Sequence, residues 1–127
     1  MADRINMSGD FRGAVVNIKS KLTNVQQSVG DIRTDDQNAR EELETLIGQL
    51  SEALQKVPAE NQEHAEAVAE TAKALVDTAK VEKPNKAMIQ VTAQGLKLAA
   101  QNLADVMPTV VTIAGKIALT VVKLIGA

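Results

Sequence analysis

His64 is the only histidine in the chain, and Glu60 stands four residues before it. On a helix that spacing turns both side chains to one side, where an imidazole and a carboxylate could share a divalent cation. A di-metal site inside a helical bundle needs two Glu-x-x-His motifs and further inward-facing glutamates, which one histidine cannot supply. The surrounding EHAEAVAE therefore reads as an acidic, solvated helix face. No metal and no cofactor are expected.

Nucleophilic chemistry is equally short of parts. The chain has no cysteine, so thiolate catalysis, disulfides and cysteine-based zinc sites are excluded. A serine or lysine nucleophile needs an adjacent base, and no recognisable partner motif surrounds His64. Gly9 and Gly13 in SGDFRG lack the lysine and the spacing of a phosphate-binding loop or a dinucleotide fingerprint. Glu41, Glu42 and Glu44 read as a solvated helix face, not an acid/base pair in a cleft. The formal charge of −2 gives no electrostatic reason to expect nucleic acid. The expectation is a non-enzymatic protein with no small-molecule substrate.

The residues that remain are apolar and periodic. With 127 residues and a single aromatic, Phe11, one core is expected, filled by Leu, Ile, Val, Met and Ala. Small side chains let helices approach closely, which favours an all-α fold over sandwiches or barrels. Val15, Ile18, Leu22, Val25, Val29 and Ile32 follow the spacing 3, 4, 3, 4, 3, the seam of a helix that packs along its length. Ser8 or Asp10 is its expected cap. The alternative for residues 4–20 is a hairpin, because Ala14 to Ile18 is rich in β-branched residues and Gly9 and Gly13 flank it.

A second helix is expected after a capping box formed by Thr34 and Gln37, with Ala39, Leu43, Leu46, Leu50, Leu54 and Val57 as its stripe. Pro58 ends it. A third, from about Ala59 to Val81, carries Ala65, Val68, Ala72, Leu75 and Ala79. A fourth carries Met88, Val91 or Thr92, Leu96, Ala99, Leu103 and Val106, and ends before Pro108. Gly95 inside it costs roughly 1 kcal/mol of helix propensity relative to Ala, so either a neighbouring backbone comes close there or the protein tolerates the cost. Short links favour an up-and-down antiparallel bundle of four to five helices in a single domain, residues 1–127.

Residues 106–127 contain no acid and only two charges, Lys116 and Lys123. Thr109, Thr112, Lys116, Thr120 and Lys123 form a narrow polar stripe, while Ile113, Ile117, Val121 and Leu124 belong to an apolar surface covering well over half the helix. Three arrangements satisfy this pattern. The segment is the central helix of the bundle, wrapped by the other four with its lysines snorkelling outward. Or part of it forms a homo-oligomer interface. Or it binds a membrane through Lys116 and Lys123, inserting Ile113, Ile117, Val121 and Leu124. The two mid-segment lysines and the missing Trp/Tyr belt place interfacial or conditional insertion ahead of a constitutive span.

INMSGDFRGAVVNIKSKLTNV at residues 5–25 and KPNKAMIQVTAQGLKLAAQNLADVMPTVVTIAGKI at 83–117 together resemble short helical modules of cyanobacteria and other bacteria, sometimes found beside signalling or cell-death effector domains. The resemblance covers somewhat under half the chain. It implies an adaptor or effector role in bacterial signalling or defence. The residues themselves point to association with a second copy or another protein, through Val15, Ile18, Leu22 and Val25 or the C-terminal helix. The alternative is a membrane-acting effector that binds or permeabilises bilayers. The polar stretch Met1 to Asp10 shows no secretory signal, so a cytoplasmic, bacterial protein with peripheral membrane association as the alternative is expected.

Overall fold

The computed structural model describes the backbone of residues 7–125 and the side chains of residues 17–125. Among the described residues there are five α-helices: α1 (Met7–Ser28), α2 (Gln37–Gln55), α3 (Gln62–Ala79), α4 (Lys86–Gln101) and α5 (Pro108–Leu124). No strand occurs among the described residues. Residues 7–20 are helical, so the hairpin alternative fails there. Residues 4–6 lie outside the described residues. The periodic seam wins over local β-propensity because it buries Ile18, Leu22, Val25 and Val29 on one line. Val15, its first position, lies outside the described side chains. Ser8 and Asp10 fall within α1, not ahead of it.

The pairs α1–α2, α2–α5 and α3–α4 pack antiparallel, α1 and α3 run the same way, and the principal helix contacts close into a ring. In cyclic order the neighbours are α1, α2, α5, α4 and α3, with α3 returning to α1. α2 and α3, consecutive in sequence, thus pack on opposite sides of α1. α5 packs between α2 and α4 and touches α3 more lightly. It is therefore a member of the ring, and not a central helix wrapped by the other four. Its inward face, Val110, Ile113, Ala114, Ile117, Ala118, Val121 and Leu124, joins one continuous core with Leu43, Ile47, Leu50, Leu75 and Leu96.

The turn between α1 and α2 is closed by polar contacts. α1 ends in a 3-10 turn over Val29–Asp31. Asp36 caps α2 by accepting from the Ala39 amide at 2.9 Å, and Thr34 accepts from the Asp36 amide at 3.1 Å. The cap thus falls two residues later than the Thr34/Gln37 box. Aspartate is as good a cap as threonine, and Thr34 is left to shape the turn before it. Arg40 then reaches back, donating from Nη2 to the carbonyls of Ile32 at 2.8 Å and Thr34 at 3.2 Å, and from Nη1 to Gln37 Oε1 at 3.1 Å. Arg40→Met keeps the stem but leaves those part-buried carbonyls unpaired, and is expected to cost about 1–3 kcal/mol. Urea denaturation checks this; an unchanged midpoint would mean that water replaces the guanidinium without loss.

Close approach explains one glycine. A Cβ on Gly48 would meet Gln26 Nε2 at 3.1 Å, and that amide donates to the Glu44 carbonyl at 2.7 Å. Gly48 thus lets a side chain of α1 lie over the backbone of α2. Gln62 similarly ties the link into α3, its buried Nε2 donating to the Val57 carbonyl at 3.1 Å.

Candidate association surface

α4 exposes more of itself than any pattern of core residues anticipates. Its inward line is Ile89, Ala93, Leu96 and Ala100, continued by buried Leu103. Met88 and Val106, expected on the core stripe, face outward, and of the two residues expected at its second position Val91 is exposed and Thr92 half-buried. The reason is that α4 is apolar on two sides. Ala87, Val91, Gln94 and Leu98 form a second line with spacing 4, 3, 4, the register of a packing seam, and all four are exposed. Val91 is 62% and Leu98 59% accessible. A shallow groove runs along this line, floored in part by Gly95. A Cβ at Gly95 would meet nothing within 4 Å, so no neighbour inside the bundle requires the glycine.

α5 extends this surface. Its exposed stripe is Thr109, Thr112, Lys116, Leu119 and Lys123. Thr120, expected among the polar positions, is buried, and its hydroxyl donates to the Lys116 carbonyl at 2.7 Å. That bond back to the preceding turn satisfies the hydroxyl, so threonine fits a core position and Leu119 takes the outward one. Leu119 is 69% accessible and lines a groove between α4 and α5 with Gln90, Ala93, Gln94, Lys97 and Val122. A further groove between α2 and α5 brings Lys116 beside Glu52, Lys56 and Met107.

The other residues singled out in the sequence lie elsewhere. Ile113, Ile117, Val121 and Leu124 are all buried, and Ile18, Leu22 and Val25 face the core between α1 and its neighbours. Lys116 and Lys123 are exposed. The structure therefore separates the lysines from the apolar residues that were read with them. His64 and Glu60 are both exposed, and no group of three potential metal ligands occurs among the described residues. No described helix is long and apolar enough to cross a membrane.

Charge is distributed by helix. α4 contains Lys86 and Lys97, α5 contains Lys116 and Lys123, and neither contains an acid. Asp105, in the turn between them, is the acid nearest in sequence. α2 carries Glu41, Glu42, Glu44 and Glu52 against Arg40, and α3 carries Glu63, Glu66, Glu70 and Asp77 against Lys73. Part of the acid on α3 is compensated. Glu70 pairs with Lys21 of α1, and Asp77 pairs with Lys73 at 2.7 Å and Lys80 at 3.3 Å. Burial works to raise the Asp77 carboxyl, but hydrogen bonds and positive charge from Lys73 and Lys80 outweigh it, leaving the group below its ordinary value. Glu63 and Glu66, near the start of α3, form no ion pair among the described residues.

The geometry thus offers a surface with exposed apolar side chains bounded by lysines, and no group of three potential metal ligands among the described residues. Sequence reasoning missed Val91, Leu98 and Leu119 as surface residues. The available signal was the second 4, 3, 4 line on α4, masked by the first. Set against known protein families, curated protein sequences and solved structures, the chain matches none.

Proposed function

We propose that this chain is a non-enzymatic association module, and that its contact surface is the outer face of α4 and α5. The observation that carries this reading is the exposed seam Ala87, Val91, Gln94 and Leu98, joined by Leu119 across the α4–α5 groove. Scattered exposed leucines are ordinary, but a heptad-spaced line with no helix against it is the feature by which helices select partners. A role as an adaptor in bacterial signalling or defence follows from the resemblance of residues 5–25 and 83–117.

Self-assembly is the version open to direct test. Val91→Asp/Leu98→Asp replaces two exposed side chains, so helicity and thermal midpoint are expected to stay close to those of the parent. Sedimentation at high micromolar concentration and low salt is expected to show assemblies for the parent and monomers for the variant. A parent chain that remains strictly monomeric ends the self-assembly reading.

The membrane-acting alternative relies on Ile113, Ile117, Val121 and Leu124, which lie in the core. It requires α5 to leave the bundle, a second state that a bilayer would have to stabilise. Flotation of the full chain with anionic vesicles tests it.

A further inference from the structure

α3 carries an outer line with the same register as that of α4. Glu63, Ala67, Glu70 and Ala74 are all exposed and follow the spacing 4, 3, 4, as do Ala87, Val91, Gln94 and Leu98. The two lines are complementary in size. One presents Ala67 and Ala74 a heptad apart; the other presents Val91 and Leu98 a heptad apart. Alanines leave shallow holes into which larger side chains fit as knobs. The lines are complementary in charge as well. Lys86 and Lys97 accompany the α4 line with no acid on that helix, whereas Glu63 and Glu66 are free of ion pairs among the described residues on α3.

We infer that the α4 seam takes the α3 face of a second copy of this chain, in a heterologous helix contact. Val91 and Leu98 hold the same positions in their 4, 3, 4 line as Ala67 and Ala74 do in theirs, so the larger pair can enter the holes that the alanines leave. The contact also joins a helix without acids to one that carries Glu63 and Glu66. Gly95, with open space where its Cβ would be, leaves room for the arriving backbone.

Two other occupants fit less well. Isologous pairing of α4 with α4 would bring Lys86 and Lys97 of both copies together with no acid on either helix. A bilayer would meet no Trp, Tyr or Phe anchor on α4 or α5. A contact that uses different faces of each copy leaves one basic and one acidic face free, so assembly continues past two unless the ring closes. The seam is shorter than an interface of about 1,200 Å² would require, so the contact is weak and salt-sensitive.

This inference rests on the association reading and is tested so that the two fail separately. Val91→Asp/Leu98→Asp spoils only the α4 face; Ala67→Gln/Ala74→Gln fills only the α3 holes, also at exposed positions. Circular dichroism confirms that each variant is folded, and sedimentation of each alone and of their mixture is then compared. The expected result is a parent that grows past a dimer and shrinks with added salt, two monomeric variants, and a mixture that stops at a one-to-one pair. In that pair the intact α3 of the first variant meets the intact α4 of the second. If Ala67→Gln/Ala74→Gln assembles like the parent while Val91→Asp/Leu98→Asp does not, α4 takes a different surface, and this inference falls while the association reading stands. A parent monomeric under all conditions removes both.

Discussion

A chain ending at Met107 is expected to lose its cooperative fold altogether, with no thermal transition and strongly reduced helicity by circular dichroism. α5 contributes Val110, Ile113, Ile117, Val121 and Leu124 to the core, besides Ala114 and Ala118. Burying a side chain of this kind is worth about 1.5–3 kcal/mol. Five of them together match or exceed the roughly 5–15 kcal/mol by which a domain is stable at all. The loss does not end with α5. Its principal neighbours, α2 and α4, would each turn an apolar face to water, and the ring would be open between them. A truncated chain that still melted cooperatively near the parent temperature would show that the other four helices form a core of their own.

The second large effect separates two residues that stand only two positions apart. Ile117→Asp is expected to unfold the bundle, whereas Leu119→Asp is expected to leave its stability within about 0.5 kcal/mol. Ile117 is fully buried and Leu119 is exposed. An aspartate in the place of Ile117 must either hold a charge in apolar surroundings or take up a proton far above its ordinary pKa, and either route costs several kcal/mol. The cavity left by the lost isoleucine adds to this. Chemical denaturation of both variants gives the comparison directly. Similar losses from the two would mean that the outward face of α5 is covered by something, and would identify Leu119 as a contact residue.

The same pair shows where periodicity is an adequate guide and where it is not. In α1 and the turn that ends it, the line Ile18, Leu22, Val25, Val29 is the only apolar line over the described side chains, so the inward face is legible from spacing alone. α2 is as plain: Ala39, Leu43, Leu46, Leu50 and Leu54 lie on one side and glutamates on the others. α3 also reads correctly, since Ala65, Val68, Ala72, Leu75 and Ala79 are all buried. In these helices polar residues fill the remaining positions, and only one orientation hides the apolar ones from water.

α4 and α5 carry apolar residues on more than one side, and there spacing admits several orientations. For α4, the stripe through Met88 and Val91 and the stripe through Ile89 and Ala93 are both periodic. Packing chooses the latter because α3 and α5 flank the helix there, and Val91 and Leu98 are left outside as the candidate contact line. For α5, the choice puts Thr120 inside and Leu119 outside, a reversal that a hydrogen bond to the Lys116 carbonyl makes tolerable.

The sequence by itself therefore determined the class of fold, a bundle of four to five helices, and the inward faces of α1, α2 and α3, because amphipathic spacing and breaks at Pro58, Pro84 and Pro108 are local properties of the chain. It shows too that the chain has no cysteine and a single histidine. Only the tertiary structure decided the cyclic order of the helices, the placement of α5 in the ring and which apolar residues of α4 and α5 meet solvent. Those outcomes depend on which neighbours compete for a helix face, and a helix that is apolar on two sides carries no local signal of which side will be covered.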